Sequence, residues 1–175
     1  MHLERFIRDV PDFPRRGIIF KDITPLLANV EVLREAAAQL VRPYRGAGVE
    51  IVTGVESRGF IFASLAADRL GAGFVPIRKP GKLPAETIAE SYELEYGTDA
   101  VEIHADAVRP AQKVLMVDDL LATGGTMEAA CRLVRKLGGR IVAATFIIEL
   151  AFLSGREKLE ALGVETRSLI KVEGE

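Results

Sequence analysis

From Glu50 to Val172 the chain alternates between short apolar runs and segments with helical spacing, and this alternation limits the folds open to it. EIVTGV (Glu50 to Val55), GFVPIRK (Gly73 to Lys79), KVLMVDD (Lys113 to Asp119), IVAATFIIEL (Ile141 to Leu150) and TRSLIKV (Thr166 to Val172) read as strands. Their apolar residues are nearly continuous, as in strands buried on both faces. Between them, GFIFASLAADRL reads as a helix closed by Gly71, a second helix runs from about Thr126 to Leu137, and a third starts at Ser154. Ser154 and Glu157 have capping-box spacing, and the GREKL segment there reads as a capped, solvated helix. Alternation of this kind predicts an α/β fold, a mostly parallel sheet with helices on both faces.

The two ends of this pattern differ from its middle. Leu3, Phe6, Ile7 and Val10 recur at helical spacing and predict a short amphipathic helix, with a brief extended stretch at Ile18–Phe20. A helix is expected from about Glu31 to Tyr44, with Asn29 as its cap. Between Pro80 and Val108 the chain becomes polar with period two and turns at Gly97-Thr98-Asp99. That reads as a hairpin projecting from the sheet, of the kind that covers a site.

At 175 residues, 49% of them hydrophobic, the chain suffices for one domain, 1–175. Lys and Arg number 23 against 25 Asp and Glu, without a basic face for nucleic acid. The single cysteine, Cys131, allows no internal disulfide and fits a reducing compartment, and it lies in a helical apolar pattern expected to be core. No apolar run approaches the roughly 20 residues of a membrane span, and the charged N-terminus lacks a signal core. A cytoplasmic protein with no membrane partner is expected. His2 and His104 have no spacing suited to metal or triad chemistry.

The candidate site is VLMVDDLLATGGT, Val114 to Thr126. An apolar strand delivers two adjacent acids, Asp118 and Asp119, to a carboxyl end, where ligands of parallel sheets bind. Two crowded carboxylates repel each other and lose solvation there. The next residues, Ala122, Thr123, Gly124, Gly125 and Thr126, place backbone N–H groups and hydroxyls at a helix start, a cradle for a terminal phosphate. Acceptor carboxylates beside an anion cradle suit a sugar with vicinal hydroxyls, and together they describe a ribose 5-phosphate seat. A tight strand-to-helix turn with solvated acids is the plainer alternative. No P-loop or G-x-G-x-x-G pattern is present.

VLMVDDLLATGGT resembles the phosphoribosyl-pyrophosphate (PRPP) signature of the type I phosphoribosyltransferases. FPRRGIIFKDITPLL, GVESRGFIF and IRKPGKLP with SYELEYG narrow the likeness to the members of that family that use adenine, over nearly the whole chain and in the same order. One departure is Arg16, where many members carry proline. The resemblance implies transfer of the phosphoribosyl group of PRPP to N9 of adenine, giving AMP and pyrophosphate, in the type I phosphoribosyltransferase fold with a flexible hairpin lid (80–108) and an N-terminal hood segment (1–30). It implies that Asp118 and Asp119 hold the ribose hydroxyls and that Ala122 to Thr126 wrap the 5′-phosphate. Ser57, Arg58, Arg78, Lys79 and Lys82 would serve pyrophosphate, and a peptide bond on either side of Ser57 can be cis. Main-chain groups of Ile19 to Lys21 would read the adenine edge, with Phe20 and Leu150 against the ring. Glu95 would assist the purine's protons through N7, and Tyr96 would close the lid over the ribose. Mg²⁺ would bridge PRPP oxygens, no residue cluster having the look of an all-protein metal cage. A homodimer is expected. Two rival readings are a phosphoribosyltransferase for another purine and a PRPP-sensing regulator on the same fold.

Overall fold

The computed structural model describes residues 2–93 and 97–174. Its centre is a five-stranded sheet in which every neighbouring pair is parallel. The strands are β3 (Ile51–Val55), β4 (Gly73–Ile77), β7 (Lys113–Leu121), β8 (Arg140–Leu150) and β9 (Thr166–Val172), in the order β4-β3-β7-β8-β9. The helices are α1 (Thr24–Ala28), α2 (Val30–Val41), α3 (Gly59–Leu70), α4 (Gly125–Lys136) and α5 (Gly155–Ala161). They cover both faces. On one, α2 and α3 pack on the sheet through Leu40, Phe62, Leu115 and Ile147; on the other, α4 packs through Leu133 and Val134 against Met116 and Phe146. Removing these apolar side chains from water on both faces is what the near-continuous runs of β7 and β8 require. Successive strands are added in opposite senses on the two sides of the β3–β7 pair, β3 leading outward to β4 and β7 leading the other way to β8. The crevice at the carboxyl ends of β3 and β7 is therefore the switch point of the sheet, where ligands of such folds bind.

Two antiparallel ribbons flank this sheet. β1 (Arg8–Pro11) pairs with β2 (Ile19–Asp22), and β5 (Thr87–Glu93) pairs with β6 (Thr98–His104). The second ribbon does more than project from the sheet. Val101 and Ile103 alternate with polar residues along β6, and both are fully buried in the α4 core. Their period of two pins the root of the hairpin to the domain.

Several local expectations need correction. The helix expected from Leu3 through Val10 is a single 3-10 turn, Leu3–Phe6, and Val10 lies in β1, since ladder bonds to β2 override a weak four-residue periodicity. The helix expected to Tyr44 is α2 alone, followed by a 3-10 turn at Arg42–Tyr44 where Pro43 cannot donate a helical N–H. The hairpin turn stops short of Thr98 and Asp99, which pair with Glu93 and Tyr92 in the ladder. Ser154 makes no capping bond; its φ of 53° is left-handed, so no capping box forms.

Asn29 does cap α2, its Oδ1 accepting from the N–H groups of Glu31 at 3.1 Å and Val32 at 3.2 Å. Asn29→Ala removes both acceptors and should lower stability by about 1 kcal/mol in urea unfolding; an unchanged midpoint would show that the cap contributes nothing.

Candidate functional site

At the switch point lies a cavity of about 460 Å³. Three loops build its wall: Glu56 to Arg58 after β3, Lys79 after β4, and Ala122 to Thr126 after β7, with Phe20 of β2 closing one side. Of the residues singled out in the sequence, Phe20, Ser57, Arg58, Lys79, Asp118, Asp119 and Ala122 to Thr126 all line it. Residues 62 positions apart in sequence, Ser57 and Asp119, meet here because β3 and β7 are adjacent parallel strands.

The acids sit within β7, which runs two residues beyond them to Leu121. Asp119 is 5% exposed, while Asp118 keeps partial access to the cavity. Asp118 Oδ1 accepts from the Asp119 N–H at 2.9 Å. Burial, and then the charge of Asp119, push the Asp118 carboxyl well above the ordinary range. Burial raises Asp119 as well, opposed by the nearby Arg58 guanidinium. Arg58 Nη2 lies 2.6 Å from Asp119 Oδ2. The contact pairs the charges, and among the described residues no other donor reaches that buried oxygen, which keeps a free acceptor site. An acid pair kept short of donors is suited to neutral hydroxyls.

Arg58 is the hub of this wall. Its guanidinium stacks 5.0 Å over the Phe20 ring and donates a long bond of 3.4 Å to the Lys21 carbonyl. It thus connects β2 to the acid pair. The Glu56–Ser57 peptide just before it is cis. Gly59, the first residue of α3, abuts Asp118 so closely that a Cβ there would collide with Oδ1. The loop after β7 is packed as tightly. Gly124 takes a left-handed φ of 79°, and a Cβ on it would lie 2.8 Å from the Gly155 carbonyl; one on Gly155 would clash with the Ala122 carbonyl. Gly155 therefore seats α5 under the anion cradle, and GREKL is not simply solvated. Arg156 donates through Nε to Glu149 at 2.8 Å, and Glu149, 2% exposed, also accepts from Ser168. An uncompensated carboxylate could not remain at that depth.

Arg78 and Lys82 do not line the cavity. Both are held by Glu56, at 3.0 Å and 3.1 Å, and the Lys79 N–H donates to the same carboxylate at 3.0 Å. Arg78, first among these partners, holds the Glu56 carboxyl down at about 2. Ile19, Lys21 and Leu150 line a neighbouring apolar cavity of about 530 Å³ with Phe152 and Val172. Strand alternation explains the split, since side chains of Ile19 and Lys21 point away from that of Phe20. Glu95 and Tyr96 lie outside the described residues. Among the described residues no group of three or more His, Cys, Asp or Glu is placed to hold a metal by itself. Cys131 is buried, and burial pushes its thiol up to about 12, leaving it without nucleophilic character.

Sequence reasoning passed over Glu56, Gly59, Tyr92, Asp99 and Gly155. Glu56 and Gly59 bracket Ser57 and Arg58 within GVESRGFIF, and their place in that segment was the available signal; Gly155 could be found only from the packing of α5.

The raised Asp118 carboxyl has a consequence for stability. A carboxylate whose folded pKa exceeds its unfolded one destabilises the fold at pH above the unfolded value, where the unfolded chain ionises first; the penalty grows until the folded value is reached and vanishes below about pH 4. Asp118→Asn should therefore raise stability at pH 7, with the gain shrinking toward pH 4, in urea unfolding at the two values. A loss of stability at both would contradict the burial-driven shift.

Residues 21–173 match the model of the phosphoribosyl transferase domain. The chain is 57% identical over 170 residues to an adenine phosphoribosyltransferase of Thermobifida fusca, covering 97% of this chain and 96% of that one. The crystal structure of an adenine phosphoribosyltransferase from Rhodothermus marinus superposes with a TM-score of 0.93 at 51% identity, over 97% of this chain and 96% of that one. That of Saccharomyces cerevisiae, complexed with an imino-altritol bisphosphate and adenine, gives 0.88 at 38% identity, over 95% and 96%.

Proposed function

The chain belongs to the phosphoribosyl transferase family, within its adenine phosphoribosyltransferases, and on that premise we propose how its residues transfer the 5-phosphoribosyl group of PRPP to N9 of adenine, with AMP and pyrophosphate as products. The observation that carries the assignment is the convergence, in one cavity, of a buried acid pair with a free acceptor and a glycine-lined helix start.

Ala122 to Thr126 grip the 5′-phosphate through N–H groups at the start of α4. Asp118 and Asp119 accept from the 2′ and 3′ hydroxyls and fix the ring, so that C1′ faces Ser57, Arg58 and Lys79. The C1′–O bond to pyrophosphate breaks, its electron pair leaving on pyrophosphate, and the N9 lone pair forms the new bond to C1′. Positive charge grows on the ribose and negative charge on the leaving group. The carboxylates stabilise the first, while Arg58 and Lys79 stabilise the second, in a site with little water to screen them. Arg78 and Lys82, held on Glu56 at the cavity's edge, are the outer cations of that end. Adenine offers its N9 lone pair in the N7–H tautomer, and Glu95 accepts the N7 proton as the bond to C1′ forms; Tyr96 closes over the ribose to keep water from the cation-like carbon.

Adenine is read by the main chain of β2. One edge of β2 is paired with β1, and the Lys21 carbonyl accepts from Arg58 on the other edge. In an extended strand residues i and i+2 present their N–H and C=O groups to the same edge, so those of Ile19 and Lys21 share it. A fixed donor and acceptor pair of this kind fits the amino group and N1 of adenine and mismatches hypoxanthine, which leaves buried groups unpaired. Phe20 packs on the ring from one side and Leu150 from the other.

Mg²⁺ enters with PRPP. The fit is of a cation carried by substrate, since the acid pair alone is too few ligands for a cage, and its chemistry is to neutralise the phosphate oxygens of the leaving group. The N-terminal segment 1–30 forms the hood and 80–108 the lid of one domain. Exposed Phe13 and Ile18 in the hood, 50% and 44% accessible, support a homodimer. The lone thiol, unable to form an internal disulfide, supports a cytoplasmic setting.

The test is AMP formation from PRPP and adenine with Mg²⁺, beside hypoxanthine and guanine. Adenine should be used and the other two rejected by at least about 100-fold in kcat/KM. Asp118→Asn and Asp119→Asn should each lower kcat about 100-fold in folded protein. Product from hypoxanthine at the adenine rate would refute readout by β2, and a fully active double variant would refute the ribose seat.

A further inference from the structure

Among the described residues Lys79 is the one cavity-lining residue whose ammonium is held from the hairpin. Its Nζ donates to the Tyr92 hydroxyl at 2.8 Å and forms an ion pair with Asp99 Oδ2, which also accepts from the Tyr92 hydroxyl at 3.0 Å. Tyr92 and Asp99 face each other directly across the β5–β6 ladder, so their side chains share a face. The ammonium further lies 5.3 Å from the centre of the Tyr92 ring. The same ring packs behind the phosphate cradle, outside the cavity itself, since a Cβ built on Gly125 would lie 3.2 Å from Tyr92 Cδ2. One tyrosine thus contacts, from outside the cavity, two residues that line it: Gly125 at the α4 start and Lys79.

We propose that Tyr92 and Asp99 are positioning residues for PRPP: they fix the Lys79 ammonium at the cavity wall and join the root of the hairpin to the Gly125 turn. The proposal rests on the assignment of Lys79 to the pyrophosphate end. A lysine stem is long and flexible, and an ammonium is a point charge without the fixed fork of a guanidinium. Held at three points, by the hydroxyl, the carboxylate and the ring face, it loses that freedom before substrate arrives, so less ordering remains for binding. Burial works against the charge of Lys79, yet the bonds to Asp99 and Tyr92 raise its pKa, and the ion pair in turn lowers that of Asp99. The cation stays charged at neutral pH. Because Tyr92 also packs on Gly125, displacement of the hairpin disturbs cation and cradle together.

The experiment is steady-state kinetics of Asp99→Asn and Tyr92→Phe with each substrate varied, and the same changes in a Lys79→Met background. Asp99→Asn should raise the KM for PRPP about fivefold and leave that for adenine within about twofold, and Asp99→Glu should recover much of the loss. In the Lys79→Met background Asp99→Asn should add nothing further. If Lys79→Met impairs PRPP use while Asp99→Asn leaves KM unchanged or lower, or affects both substrates equally, the positioning role is overturned and the pyrophosphate assignment stands. If Lys79→Met itself leaves the KM for PRPP unchanged, the assignment of Lys79 fails and the positioning role falls with it.

Discussion

Two carboxylates forced together at the end of a buried strand are the constraint around which the rest of this structure is arranged. Asp118 and Asp119 lose solvation and repel each other, a cost that no apolar core would retain without compensation. Among the described residues the one close cation is Arg58, and no other donor reaches Asp119 Oδ2. The surrounding elements accommodate the pair. Gly59 gives Asp118 room at the start of α3, Phe20 backs Arg58, and the parallel pairing of β3 with β7 fixes the distance between them. An unfilled acceptor at such a place is poised for a ligand's hydroxyl, which ties the instability of the site to its use.

The cavity is assembled from three separate strand ends, and each is stabilised from behind. The cradle after β7 rests on Gly155 of α5, itself held by the Glu149–Arg156–Ser168 network. Arg78 and Lys82 are gathered on Glu56, and Lys79 on the hairpin. Cations meant to meet a highly charged ligand are thus partly neutralised by carboxylates in its absence, which limits their mutual repulsion and fixes their places.

Much of this was legible in the chain. Near-continuous apolar runs separated by helical spacing gave β3, β7 and β8 close to their observed limits, because a strand buried on both faces leaves few polar positions; the edge strands β4 and β9 followed from their place in the alternation. Asn29 was readable as a cap because its chemistry is local. Local spacing failed where tertiary partners decide: Val10 joined a ribbon with Phe20, and Ser154 took a left-handed backbone in place of a cap. The site's inner wall from Ser57 to Thr126 was legible from short motifs. Its supports were not, since Tyr92, Asp99 and Gly155 reach the cavity only through a ladder and a helix contact that no short window contains.

The central claim is that the acid pair seats the ribose hydroxyls. It is tested most directly by calorimetric binding of ribose 5-phosphate against 2-deoxyribose 5-phosphate. The deoxy sugar should bind about tenfold more weakly to the native chain, and the difference should vanish in the Asp118→Asn, Asp119→Asn double variant. Equal binding of the two sugars to the native chain would contradict the account.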